Sequence, residues 1–148
     1  MAVFFHTEPP LVFQLKSKLL HKQWLSKIVQ TESNEQKKIG TLNYIFCTDD
    51  YLHNMNVAYL QHDTLTDVIT FDNSETSNRI EGDIFISIDR IKDNAQTYNV
   101  PANTELHRVM VHGLLHLLGY GDKTNAETQL MRAKENEYLL LMDNALLS

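Results

Sequence analysis

The sequence predicts a single α+β domain, with about four strands in a mixed sheet packed with about five helices and a candidate metal site on a central helix. Three observations predict it. Short runs rich in β-branched and aromatic residues, 68–71 and 84–88, are bounded by polar turns and read as strands. Longer stretches with apolar residues at helical spacing lie before, between and after them. The chain has 148 residues and is 43% hydrophobic, the size of one domain with enough apolar content for a core. Nothing within residues 1–148 reads as a linker, repeat or low-complexity tract.

The elements follow in order. Residues 3–6 are a short apolar opening suited to an edge strand. Residues 11 to about 30 read as one long helix, with Phe13, Leu20, Trp24 and Ile28 on one side and Leu11, Leu15 and Leu19 on another. That width of apolar surface implies packing on a sheet. Residues 42–48 read as a strand, and Tyr44, Ile45 and Phe46 in succession imply burial on both faces. A short helix over 49–60 is capped by Thr48 or Asp49. Strands 68–71 and 84–88 then enclose the polar residues 72–81, an antiparallel hairpin with a long connection. A helix over 89–98 is broken by Pro101-Ala102-Asn103, and Asn103 or Thr104 caps the next one. After it, Thr124-Asn125-Ala126-Glu127 has the form of a capping box and opens a last helix through Met131, Leu139 and Met142.

Composition narrows the function. The one cysteine, Cys47, has no partner for an internal disulfide, no charged-then-apolar leader is visible, and no apolar run approaches the ~20 residues that cross a membrane. The expectation is a cytoplasmic protein with no membrane partner. A net charge of −6 argues against indiscriminate nucleic-acid binding, and no DNA partner is expected. The charge is uneven, because residues 1–40 carry six lysines against Glu8, Glu32 and Glu35. Lys16, Lys22 and Lys27 are either the solvated face of the first helix or a basic strip that touches phosphates.

The chemistry is concentrated in His112-Gly113-Leu114-Leu115-His116-Leu117-Leu118-Gly119-Tyr120-Gly121-Asp122. Four residues of helix turn through about 400°, so His112 and His116 share one face and can reach one metal. Gly119 can take the left-handed conformation that ends a helix, letting the chain double back and offer Asp122 as a third ligand. Three ligands with one position open describe a catalytic metal site better than a structural one. Two histidines satisfied by carbonyls in a core helix are the plainer reading. Against it, histidine is a poor helix former and costly to bury unpaired, yet two of them interrupt an apolar run from Val109 to Leu118. One divalent metal per chain is expected, with zinc first. Gly113 stands where a zinc protease of the H-E-x-x-H type carries its glutamate base, which excludes the usual peptide hydrolysis. Two histidines and a carboxylate are also the facial triad of non-haem iron oxygenases, a rival reading.

This segment resembles the H-G-x-L-H-L-x-G-Y-D-H signature of the YbeY-type endoribonucleases, an rRNA-maturation family. The resemblance extends to Met55-Asn56-Val57-Ala58-Tyr59-Leu60, to Asp63-Thr64-Leu65-Thr66-Asp67-Val68-Ile69-Thr70-Phe71, and to Gly82-Asp83-Ile84-Phe85-Ile86-Ser87. Glu105-Leu106 and Arg108-Val109 match the start of the metal helix. The resemblance implies a metal-dependent, single-strand-specific endoribonuclease of 16S rRNA 3′ end processing and ribosome quality control, with single-stranded rRNA and ribosomal particles as partners. His112, His116 and Asp122 would hold the metal, and Thr66, Asp67 and Asp83 are candidates for proton transfer. Three positions depart from the family pattern: Asp122 replaces its third histidine, Leu60 its arginine and Leu65 its proline. A non-catalytic ribosome-assembly factor with a structural metal is the remaining alternative.

Overall fold

The computed structural model describes residues 2–60 and 66–147, so Leu65 lies outside the described residues. The elements run β1 (Ala2–Thr7), α1 (Lys18–Glu32), β2 (Lys38–Cys47), α2 (Asp49–Leu60), β3 (Val68–Asp72), β4 (Arg79–Ser87), α3 (Ile88–Tyr98), α4 (Ala102–Leu117) and α5 (Asn125–Leu147). The strands form one mixed sheet in the order β1-β2-β4-β3, with β1 and β4 parallel to β2 and β3 antiparallel to β4. The four-strand, five-helix α+β domain expected from the sequence is the one observed.

Strand alternation divides the core in two. Leu42, Tyr44 and Phe46 of β2 and Ile80, Ile84 and Ile86 of β4 pack with Trp24 and Ile28 of α1, Met110 and Leu114 of α4, and Met131 and Met142 of α5. Cys47, Ile69, Phe71 and Phe85 turn the other way, where Tyr51, Leu52 and Met55 of α2 cover them. The sheet is therefore the middle of three layers, which is why β2 is apolar on both faces. Capping follows the sequence at two helices. The Thr48 hydroxyl accepts from the Tyr51 amide at 3.2 Å. Thr124 and Glu127 exchange the two bonds of a capping box, each 3.1 Å.

Three expectations are corrected. The first helix begins at Lys18, not near residue 11. Pro9 and Pro10 remove amide donors, and Ser17 adopts φ 57°, a left-handed conformation that a right-handed helix cannot pass through. The preceding segment, residues 11–17, forms neither helix nor strand. The Thr7 hydroxyl holds the Phe13 carbonyl at 2.9 Å, Phe13 packs on Phe46 with ring centroids 4.9 Å apart, and Leu15 is buried. Lys16 therefore precedes α1 rather than riding on it. Second, neither Asn103 nor Thr104 caps α4, because both lie inside its first turn. Pro101 stands at the cap, and its carbonyl accepts from the Thr104 and Glu105 amides. Third, Ile88 begins α3 rather than ending a strand, because Ser87 caps that helix by accepting from the Arg90 amide at 3.1 Å.

Candidate metal centre

Helix α4 presses close on the sheet. A Cβ built on Gly113 would lie 2.8 Å from Ile84 Cγ2, so only a glycine lets the helix sit this near β4. The absence of a glutamate beside the first histidine thus has a packing cause as well as a chemical consequence. With Met110, Val111, Leu114 and Leu115 buried against the core, His112 and His116 are left partly buried at the edge of the helix. At its end, Gly119 adopts φ 103°, its amide bonds the His116 carbonyl, and the Tyr120 amide bonds the Leu115 carbonyl. These two bonds make a Schellman turn. The chain doubles back and Asp122 returns to the histidines.

The resulting triangle has the dimensions of a metal site. His112 Nε2 and His116 Nε2 are 3.0 Å apart, and Asp122 Oδ2 lies 3.4 Å from each. Ligands about 2.0–2.1 Å from a tetrahedral ion stand about 3.3–3.4 Å from one another. The other ring nitrogens are committed. His116 Nδ1 is 2.9 Å from the Tyr120 carbonyl, which can only accept, so Nδ1 carries the proton. His112 Nδ1 donates likewise to Glu135 Oε2 at 2.7 Å. Both Nε2 atoms then direct lone pairs at one point beside a carboxylate, and the donor set fits a divalent cation. Burial disfavours the charged form of His112. The Glu135 hydrogen bond and the charges of Glu135, Asp122 and Asp67 outweigh it and hold His112 above the usual range.

Supporting residues arrive from α1 and α5. Glu135, buried, also accepts from Arg108 Nη1 at 2.9 Å. Burial pushes its carboxyl up, but His112 and Arg108 together hold it below the usual range. Glu32, at the end of α1, accepts from the hydroxyls of Tyr120 and Tyr138 and pairs with Lys134 at 3.2 Å. Glu32 thereby anchors the turn whose carbonyl orients His116.

A cavity of about 300 Å³ opens beside the triangle, lined by His112, Asp122, Asp67, Glu105, Arg108, Arg132 and Glu135 among others. Of the three residues expected to transfer protons, Asp67 is the one that reaches it; burial raises its carboxyl above the ordinary range. Thr66 instead turns its hydroxyl to the Val68 carbonyl at 3.3 Å. Asp83 accepts from Asn43 and Asn73 and lines a separate groove with Tyr51, Tyr59, Phe71 and Phe85. Lys22 and Lys27 are both on α1, but five residues of helix set them about 140° apart, so with Lys16 they do not form one strip. Leu60 is exposed at the end of α2.

Arg132 and Glu135 were not singled out from sequence, and Glu105 was named there only as matching the start of the metal helix, not as a site residue. A signal existed in the spacing. Glu105 stands on the stripe Glu105-Val109-His112-His116, and Glu135 on Met131-Glu135-Tyr138-Met142, each a carboxylate at a position the apolar period reserves for the core.

The family model described as endoribonuclease YbeY matches residues 12–143. An endoribonuclease YbeY of Cytophaga hutchinsonii is 52% identical over 139 residues, covering 94% of each chain. That of Flavobacterium johnsoniae is 48% identical over 129 residues, covering 87% of this chain and 90% of its own. The solution structure of a Thermotoga maritima protein superposes with a TM-score of 0.64 at 23% identity, over 97% of this chain and 91% of that one. At that identity it shows the fold alone.

Proposed function

The chain belongs to the YbeY endoribonuclease family, and from that premise we propose that it is a single metallohydrolase domain that cuts single-stranded rRNA during ribosome maturation. The substrate would be the 3′ end region of 16S rRNA, met on ribosomal particles in the cytoplasm. One observation carries the metal dependence: three donor atoms, 3.0–3.4 Å apart, converge beside an open cavity. His112, His116 and Asp122 would hold one divalent ion, with zinc first among the candidates. Such an ion supplies Lewis-acid polarisation of a phosphodiester oxygen and makes a water more acidic.

The chain's own groups do the rest. Glu135 and the Tyr120 carbonyl fix the tautomers and ring planes of the two histidines. Leu60 cannot clamp a phosphate as the family arginine would. Arg108 is committed to Glu135 and Asn136, each at 2.9 Å. Among the described residues, Arg132, with its side chain 57% exposed and a single 3.8 Å contact to Glu135, is the cavity cation left to meet a phosphoryl oxygen. Lys16, Lys22 and Lys27 would then be separate phosphate contacts rather than one strip. Gly113 offers no base for peptide hydrolysis.

A single-stranded RNA oligonucleotide and a peptide library, incubated with the protein before and after chelation, test this reading. RNA cleavage that disappears on chelation and returns with a divalent metal is the expected result, with peptides intact throughout. Changing Lys16, Lys22 and Lys27 together to Gln should weaken RNA binding and flatten its salt dependence. Cleavage indifferent to chelation would refute the metal-dependent mechanism.

A further inference from the structure

Two carboxyl groups in the cavity are left unused by the proposed ligand set. Asp67 stands just ahead of β3, and Glu105 lies in the first turn of α4; both face the space that His112 and Asp122 border. Glu105 is 4% exposed. Its side chain makes no hydrogen bond or ion pair with a described residue, and no fully enclosed side-chain oxygen in the described residues lacks a partner. Its carboxyl oxygens therefore look into the cavity. A glutamate buried this deeply costs stability unless it stays neutral or has a task.

The two carboxyls reinforce each other. The Asp67 charge acts on both His112 and Glu105, and all three line the same cavity. Burial first, then the Asp67 charge, holds Glu105 above the usual carboxylate range, against the opposing pull of Arg108 and Arg132. The other groups around the cavity do not compete for the task. Arg108 is bonded to Glu135 and Asn136, Glu135 is bonded to His112 and Arg108, and Tyr98 sits exposed at the rim. Thr66 and Asp83 are bonded elsewhere.

We propose that Asp67 is the proton donor to the leaving ribose oxygen, with Glu105, the second carboxyl of the same cavity, as a positioning residue. The proposal rests on the RNA-cleavage reading above. In the step, the oxygen of an attacking water forms a bond to phosphorus as the bond from phosphorus to the ribose oxygen breaks. The Asp67 carboxyl gives its proton to that departing oxygen, and the carboxylate regains one from the water that attacked. A carboxylic acid suits a leaving alkoxide because it can hand over a proton as the bond to phosphorus breaks, and Asp67 borders the cavity onto which the metal triangle opens.

Oligonucleotides with sulfur in place of the 3′ or the 5′ bridging oxygen of one linkage provide the test. Whichever atom departs, a thiolate leaves without a proton. Asp67→Asn should slow cleavage of the ordinary oligonucleotide by about 100-fold or more and leave the matching sulfur substrate near the wild-type rate. Glu105→Gln should show a smaller loss, about 10-fold, with the same rescue. Both variants should bind as much zinc as the wild type, and their activity on the sulfur substrate doubles as the check that they fold. Equal losses on both substrates, no loss on the ordinary one, or loss of metal in Asp67→Asn would overturn the donor assignment while the RNA-cleavage reading stands. A wild type that cuts neither oligonucleotide would overturn that reading, and the donor with it.

Discussion

Replacing Glu135 by Gln keeps the size of the side chain and removes its charge. Glu135 Oε2 accepts from His112 Nδ1 at 2.7 Å and Oε1 accepts from Arg108 Nη1 at 2.9 Å, both beneath a side chain only 6% exposed. A glutamine offers one acceptor and one donor, so either His112 or Arg108 must face an N–H. One lost charge-assisted bond at a buried site costs about 1–3 kcal/mol, short of the ~3–5 kcal/mol for breaking a buried pair outright. For a domain of this size about 2 kcal/mol lowers Tm by roughly 4–8 °C. Freed from its carboxylate, the His112 ring loses its orientation and part of its basicity, which should weaken metal affinity about 10–100-fold. Calorimetry on the metal-stripped protein reads the first effect, and competition against a chromogenic zinc chelator reads the second. A fall in Tm with unchanged zinc affinity would refute the claim that Glu135 orients a metal ligand. No change in either would refute the hydrogen bonds themselves.

Two further outcomes follow from the packing. Gly113→Ala puts a methyl 2.8 Å from the stiff Cγ2 branch of Ile84; overpacking of about 1–3 kcal/mol outweighs a gain of roughly 1 kcal/mol in helix propensity, so chemical denaturation should show net destabilisation. Equal or higher stability would mean that α4 is not held against the sheet at this point. The buried pair His21–His107, with Nε2 atoms 3.1 Å apart, makes stability sensitive to acid. Burial, and then the His21 charge, pushes His107 down to about 4, whereas the unfolded side chain titrates near 6.5. The unfolded chain thus takes up the proton first, and the histidine's contribution is present above pH 6.5 and lost as pH falls towards 4, at about 1 kcal/mol per unit. Asp67 and Glu105, raised rather than lowered, act with the opposite sign, so the measurement is the difference between wild type and His107→Gln across pH 4–8. A difference independent of pH would refute the assignment, since the ring packing on Trp24 that is also lost contributes a constant offset.

How much was legible depended on the range of the interaction. Period-two and period-3.6 patterns are local, and they located every strand and helix to within a few residues, with the largest error at the first helix. There the apolar spacing of Leu11, Phe13 and Leu15 continued through a segment that two prolines and a left-handed Ser17 keep out of the helix, leaving an irregular strap. The strap buries the same residues without being helical, so periodicity alone could not separate the two. The metal triangle was legible because all three donors lie within eleven residues, joined by one helical turn and one glycine. Its support was not, because Glu32, Asp67, Glu105 and Glu135 come from four separate places brought together by the sheet and α5. Of these, Asp67 was named from the resemblance and Glu105 and Glu135 left a trace as carboxylates on apolar stripes, whereas Glu32 left none. The first helix's lysines show the converse: clustering in sequence does not make one face when five residues separate two of them.

If His112, His116 and Asp122 form one metal site, metal content must depend on them. Elemental analysis of gently purified, gel-filtered protein should find close to one equivalent of a divalent metal in the wild type. His116→Ala should carry none, and Asp122→Ala should lose its metal to a weak chelator that leaves the wild type loaded. Equal metal content in the wild type and His116→Ala would overturn the ligand assignment.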